Sequence, residues 1–315
     1  MAGKFISPSA MAGGTGTPEC NMTQTYQAPA FAMPENACDC HVHIFDADRF
    51  PLSANRVYTP DHAPVAALKH HLAQLSFRRA VLVQASPYGT DNRCILDGVA
   101  RLGQDRARAV AVIDDSFSED DLVRMHNAGV RGIRLNLRTH GDVDAKSIAA
   151  QLDHAVKRVA HLGWHIQVFT TLANIALLAD QLAALPVTLV LDHMCCLDAA
   201  GDTAQPGFAQ LCDLLACDHV YLKLSALYRV STAEGYGDAQ PFVEALLAAR
   251  PDRMLWGSDW PHTMPAPGTV RSPDKIEYFR PEDNGRALNL VAQWAGDPAI
   301  VNAMLVDNPA RLYWR

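Results

Sequence analysis

Two histidines one residue apart, His41 and His43 in CDCHVHIFD, stand in a stretch whose other residues read as a strand. Residues i and i+2 of a strand share a face, so both imidazoles can converge on one metal ion or one substrate oxygen. Far along the chain, His193 follows LVLD and Asp259 lies in WGSDWPH, each again at the end of an apolar run. Three imidazoles and a carboxylate make a hydrolytic set. The carboxylate can take a proton from water, and the imidazoles can hold a metal or face a developing oxyanion. An HxH alone carries little, because two hydrogen-bonded histidines at a strand end also satisfy it; Asp259 alone reads equally as a helix cap ahead of a proline.

Bringing these residues together requires elements that end at a common place. Eight apolar runs recur from position 37 onward: ACDCHVHI, RAVLVQAS, ARAVAVID, VRGIRLNL, WHIQVF, PVTLVLDH, HVYLKLSA and RMLWGSD. Between them lie segments of helical period such as HAPVAALKHHLAQLSF, AKSIAAQLDHAVKRVAHLG and LANIALLADQLAAL. Near-continuous Val, Ile and Leu imply strands buried on both faces, as in a parallel sheet covered by helices. The pattern predicts an α/β fold, a single-domain (β/α)8 TIM barrel over residues 36–315, after a flexible N-terminal arm over residues 1–35. A doubly wound sheet fits less well, since no Gly-rich phosphate turn follows the first strand.

In such a barrel the site lies at the C-terminal ends of the strands, where polar residues do recur. Ser86 follows the second strand, Arg134 and Asn136 share a face of the fourth with Arg138 just beyond, and Arg229 follows the seventh. Surface ion pairing is the ordinary fate of a lone arginine. Arg134 differs because it lies inside an apolar strand, where it is suited to hold a substrate carboxylate through two parallel hydrogen bonds. Ser86 and Tyr88 fall in SPYGTDN, a run that would also serve as a turn; no GxSxG elbow surrounds Ser86, so it is not read as a nucleophile.

The 315 residues are 49% hydrophobic with a formal net charge of -7, and neither a basic cluster nor an acidic tail is present. Nothing recommends a nucleic acid or a membrane as partner, and a small substrate is expected. Eight cysteines occur without a CxxC, which argues against a thiolate zinc site and for free thiols in a cytoplasmic protein. The N-terminus lacks the apolar core of a signal peptide.

The motifs DCHVHIFD, LVQASPYGTDN, GVRGIRLNL, LDHM and WGSDWPH, closing with NPARLYW, together resemble the amidohydrolase superfamily. Within it they are similar to the branch of 2-pyrone-4,6-dicarboxylate hydrolase and related muconolactone, sulfomuconolactone and sugar-acid lactonases, over residues 37 to 315. The resemblance implies a (β/α)8 barrel that hydrolyses a small anionic lactone, with Asp259 as the base and His41, His43 and His193 at the carbonyl. It matches Ser86, Arg134, Arg229 and His262 to substrate contacts and places Tyr58 where the dicarboxylate hydrolase has a tyrosine. Arg138 follows Arg134 by four residues where that enzyme has an arginine after six, Phe169 replaces a tyrosine, and Cys195 and Cys196 stand where an arginine is expected. The second acid group of the substrate is therefore left without an assigned partner. Two options stay open for the cofactor: a single zinc held by His41, His43, His193 and Asp259, or catalysis without metal. Rival readings are a metal-dependent decarboxylase of the same superfamily and a noncatalytic barrel; the intact His, His, His, Asp set counts against the latter.

Overall fold

The computed structural model describes residues 24–137, 145–265 and 268–314. Eight parallel strands follow one another in sequence order: β1 (Cys38–Val42), β2 (Arg79–Val83), β3 (Ala107–Ala111), β4 (Val130–Asn136), β5 (His165–Phe169), β6 (Leu189–Leu191), β7 (Val220–Ser225) and β8 (Met254–Gly257). All eight coincide with the apolar runs of the sequence. The ring closes where His43 N donates to the Trp260 carbonyl at 2.8 Å and Asp259 N to the His41 carbonyl at 2.9 Å. This is the (β/α)8 barrel, with helices such as Val65–Gln74, Ala145–Val159 and Leu172–Ala183 on the outside.

Inside the barrel the lower layer is apolar, built from Cys38, Cys40, Val81, Val83, Val110, Val190 and Leu255. The C-terminal NPARLYW closes that end: Leu312 and Tyr313 enter the interior cluster, and Asn308 Nδ2 donates to the carbonyls of Pro251 and Met254 at 3.0 and 2.8 Å. Apart from His165, which meets Tyr313 edge-on at this end, the buried polar side chains of the site gather toward the opposite, C-terminal end. Strict alternation would send Cys38 and Cys40 to one face of β1 and His41 and His43 to the other. The pairing of β1 with β2 is irregular between Asp39 and Val42, and that change of phase lets both pairs reach the interior.

Residues 24–35, which fall in the expected arm, lie along the helix Asn284–Ala295. Gln27 N donates to Asp283 Oδ1 at 3.1 Å, Ala30 N to Asn289 Oδ1 at 2.7 Å, and Tyr26 meets the His71 ring edge-on. Among the described residues no helix is long and apolar enough to cross a membrane. Cys38, Cys40, Cys94 and Cys195 are buried free thiols.

Candidate active site

Asp39 fixes the seam between the first and last strands. Its Oδ1 accepts from His41 N at 3.2 Å and from Ser258 N at 2.9 Å, so one buried carboxylate sets the backbone of both HxH and WGSD. Gly257 permits the close approach: a Cβ there would lie 2.7 Å from His41 Cβ and 2.9 Å from its amide nitrogen.

His193 and Asp259 sit on left-handed backbone that a side chain disfavours. His193, Met194, Cys195 and Cys196 have φ of 50°, 50°, 52° and 50°, Asp259 has 61° and His262 has 78°. Each such residue costs about 1 kcal/mol or more. The concentration of this strain at the strand tips aims the side chains inward.

The three histidines meet at one atom. His43 Nε2, His41 Nε2 and His193 Nε2 lie 3.2, 3.6 and 3.7 Å from Asp259 Oδ1. His43 Nδ1 is 2.8 Å from the Val83 carbonyl, which can only accept, so Nδ1 carries a proton. In the neutral ring Nε2 is then a lone pair facing the lone pairs of a carboxylate, and a positive charge must stand between them. A second proton on His43 would serve. So would a metal ion: separations of 3.2–3.7 Å bracket the edge of a tetrahedron of ligands at about 2.1 Å, near 3.4 Å. His41 Nε2 and Asp259 Oδ1 are buried without a hydrogen-bond partner, and His193 Nδ1 lies 2.8 Å from Ser225 Oγ, the kind of outer contact that orients a ligand. Among the described residues, His41, His43 and Asp259 bring ligand atoms within 4.8 Å of one another, a set that fits a divalent ion, and His193 joins His41 and Asp192 in a second such group beside it.

Two carboxylates organise the charge. Asp259 Oδ2 accepts from Tyr228 OH at 2.5 Å and Arg229 Nε at 2.6 Å. Burial would raise its carboxyl, yet Arg229, His193, His43 and His41 together hold it well below the usual carboxylate range. Below the cavity floor, Asp192 faces His41 Nδ1 at 3.2 Å, Lys223 Nζ at 3.4 Å and Arg134 Nε at 2.9 Å, and accepts from Gln167 Nε2 at 3.1 Å. Burial opposes its charge too, but Lys223, His41 and Arg134 hold it well below the ordinary value. Burial lowers His193 to about 3 and, with Lys223 nearby, pushes His41 well below its ordinary value.

Above this floor opens a cavity, about 440 Å³ when the space at its solvent-open mouth is counted. His43, His193, Asp259, Tyr58, Ser86, Arg134 and Arg229 all line it, which brings together most of the residues singled out in the sequence. Arg134 and Arg229 have each committed Nε to a carboxylate, and their guanidinium carbons stand 5.0 and 6.0 Å from the Phe169 ring.

His262 is not brought to the wall. Its ring is buried with Nε2 2.9 Å from Asn284 Oδ1 and Nδ1 3.2 Å from the Arg280 carbonyl, so it anchors the segment behind Tyr228 instead of meeting substrate. Tyr88 likewise is structural, its hydroxyl accepting from Asp46 N. Arg138 lies outside the described residues. Asp192 in PVTLVLDH and Lys223 and Tyr228 in HVYLKLSALYR also stand toward strand ends in the sequence, where nothing gives them roles, and Asp39 and Arg271 are not singled out there. An acidic residue two before HxH was the available signal for Asp39; Arg271, in a loop without periodicity, offered none.

Known proteins resemble the chain over nearly its whole length. A 2-pyrone-4,6-dicarboxylate hydrolase of Comamonas testosteroni is 33% identical over 298 residues, covering 91% of this chain and 92% of that protein. A 4-sulfomuconolactone hydrolase of Rhizobium radiobacter is 34% identical over 309 residues, covering 95% and 97%. A solved structure from Pseudomonas putida superposes with a TM-score of 0.73 at 29% identity, covering 90% of this chain and 98% of that one. The amidohydrolase family matches residues 38–315, the whole barrel from HxH to the C-terminus, and the chain belongs to that family.

Proposed function

We propose that this chain hydrolyses the ring ester of an anionic lactone of the pyrone dicarboxylate, muconolactone or sulfomuconolactone type, in the catabolism of aromatic compounds. The observation that carries the reading is the meeting of three imidazole Nε2 atoms at Asp259 Oδ1, on the floor of a cavity walled by Arg134 and Arg229. The activities of the two relatives support the choice of substrate class.

Asp259 has one oxygen to offer, because Oδ2 is occupied by Tyr228 and Arg229. Oδ1 takes a proton from water, the water oxygen bonds to the lactone carbonyl carbon, and the ring C–O bond breaks. The proton on Oδ1 then passes to the leaving ring oxygen, and the new carboxylic acid ionises, releasing one proton per turnover. His41, His43 and His193 face the carbonyl oxygen as it gains charge, while Arg134 and Arg229 hold an acid group of the substrate, and Ser86 and Tyr58 contact the substrate elsewhere on the cavity wall. A zinc ion, where bound, would be held by Nε2 of His41, His43 and His193 with Asp259 Oδ1, and would polarise the carbonyl as a Lewis acid.

The test is a pH-indicator screen of the purified protein against pyrone dicarboxylate, muconolactones, sulfomuconolactones and sugar-acid lactones, with metal content measured before and after chelation. One proton per ring opened and no carbon dioxide is the expected result. Gas release from an unsaturated acid would replace this reading with a decarboxylase, and full activity after complete chelation would remove the zinc.

A further inference from the structure

The two arginines of the β4 and β7 tips leave the far side of the cavity to be explained. By strand order β4 and β8 stand on opposite sides of the ring, so Arg134 faces the loops that follow β8 and β1. Those two loops are joined: Ile276–Glu277 pairs in parallel with Thr59–Pro60, which makes one wall of Tyr58 and Arg271. The Arg271 guanidinium carbon lies 4.0 Å from the centre of the Tyr58 ring, so the ring face fixes the plane of the cation. One end of the fork is held, since Nη2 donates to Glu277 Oε1 at 2.9 Å and to the Thr263 carbonyl. The Arg271 Nε–H is buried and has no acceptor. A buried donor without an acceptor is costly; Arg271 lines the cavity, and an anion entering there relieves that cost once the side chain turns its Nε–H toward it.

We propose that Arg271, stacked on Tyr58 and held by Glu277, is the specificity-determining seat for a second acid group of the substrate, opposite the group held at Arg134. This rests on the lactone hydrolase reading and deepens it: the substrate class becomes a ring with acid groups at both ends, its carbonyl between them over Asp259. The site thereby has a partner for the second acid group in the loop after β8.

The seat can be tested without turnover, by calorimetric titration of the full chain with pyridine-2,4-dicarboxylate and with pyridine-2-carboxylate. The wild type should prefer the dicarboxylate by about tenfold or more, and Arg271→Met should lose about tenfold to a hundredfold of dicarboxylate affinity while monocarboxylate affinity stays within about twofold. Glu277→Gln loosens the same loop but keeps the guanidinium, and should retain the preference. Arg271→Lys keeps the charge without the fork; a reduced preference is expected, and this variant decides the matter if the methionine variant does not fold. Equal loss for both ligands in Arg271→Met, no preference in the wild type, or loss of preference in Glu277→Gln overturns the seat. Absence of lactone hydrolysis in every variant overturns the hydrolase reading alone, because the binding ratios do not depend on it.

Discussion

Asp192 and Asp259 are both fully buried, both paired with an arginine through Nε, and both held well below the usual carboxylate range against the pull of burial. They differ in what reaches them. Asp192 is enclosed by His41, Lys223, Arg134 and Gln167 beneath the cavity floor. Asp259 spends one oxygen on Tyr228 and Arg229 and turns the other toward three imidazoles at the base of the cavity. Similar electrostatics therefore support two kinds of work. Away from the cavity, the carboxylate positions His41 and neutralises a buried lysine; on the cavity lining, it can exchange a proton with water admitted there.

Replacing each carboxylate by an amide should separate the two kinds of work. Asp259→Asn removes the proton acceptor, and hydrolysis should fall by about a thousandfold, within the range ordinary for a lost general base. Its arginine, at the cavity edge, can recover water, so the fold should survive. Asp192→Asn leaves Lys223 inside the barrel without its carboxylate, and breaking such a buried pair costs about 3–5 kcal/mol. Denaturant unfolding read beside proton-release kinetics checks both. A stability loss in Asp259→Asn equal to that in Asp192→Asn would show that access does not distinguish them.

The backbone behind His41 offers a smaller break. A Cβ at Gly257 would stand 2.7 Å from His41 Cβ, so Gly257→Ala must shift the HxH strand. A displacement near 1 Å is worth about a hundredfold in rate. Loss of kcat with little change in KM is expected, since Arg134 stands on β4 and Arg229 in the short helix Leu227–Val230, away from the displaced strand.

How much of this was visible in the chain follows from what each residue's neighbours are. The barrel was legible because parallel strands buried on both faces read as uninterrupted apolar runs, and HxH, His193 and Asp259 were legible because each ends such a run. Partnerships were not. Lys223 and Tyr228 were visible as strand-tip residues, but nothing in HVYLKLSALYR says that the lysine faces Asp192 and the tyrosine Asp259, because those contacts run to the neighbouring strand ends, β6 on one side and β8 on the other. His262 shows the same limit: its position near Asp259 suggests substrate, and only the fold shows its ring meeting Asn284 on a helix 22 residues later. Arg271 lies where no periodicity constrains the reading, and the short ladder between the loops after β1 and β8 brings it to the cavity.

The two donors on Asp259 Oδ2 allow a graded test of the open carboxylate. Arg229 is the strongest of the influences that hold its carboxyl down, so Arg229→Gln should raise the pKa of Asp259. A base must be ionised to act, and the acid limb of kcat should therefore move upward in pH, activity being lost first on the acidic side. At neutral pH, kcat/KM should also fall about tenfold through the lost substrate contact.

Tyr228→Phe is the gentler version, removing one neutral donor and no charge. The hydroxyl donates to Oδ2 at 2.5 Å, and taking away a hydrogen bond to the ionised form makes ionisation less favourable, so the acid limb shifts in the same direction but less far. Tyr228 does not line the cavity, and KM should hold near its wild-type value. Above the acid limb Asp259 is ionised in either protein, and kcat should agree within about tenfold, the reach of one hydrogen bond. The expected signature is a displaced acid limb beneath a largely unchanged plateau, measured from pH 4 upward with a lactone stable over that range. An unmoved limb with a lowered plateau would mean that Tyr228 orients Asp259 without tuning its charge, and the contrast with Asp192 would then rest on access alone.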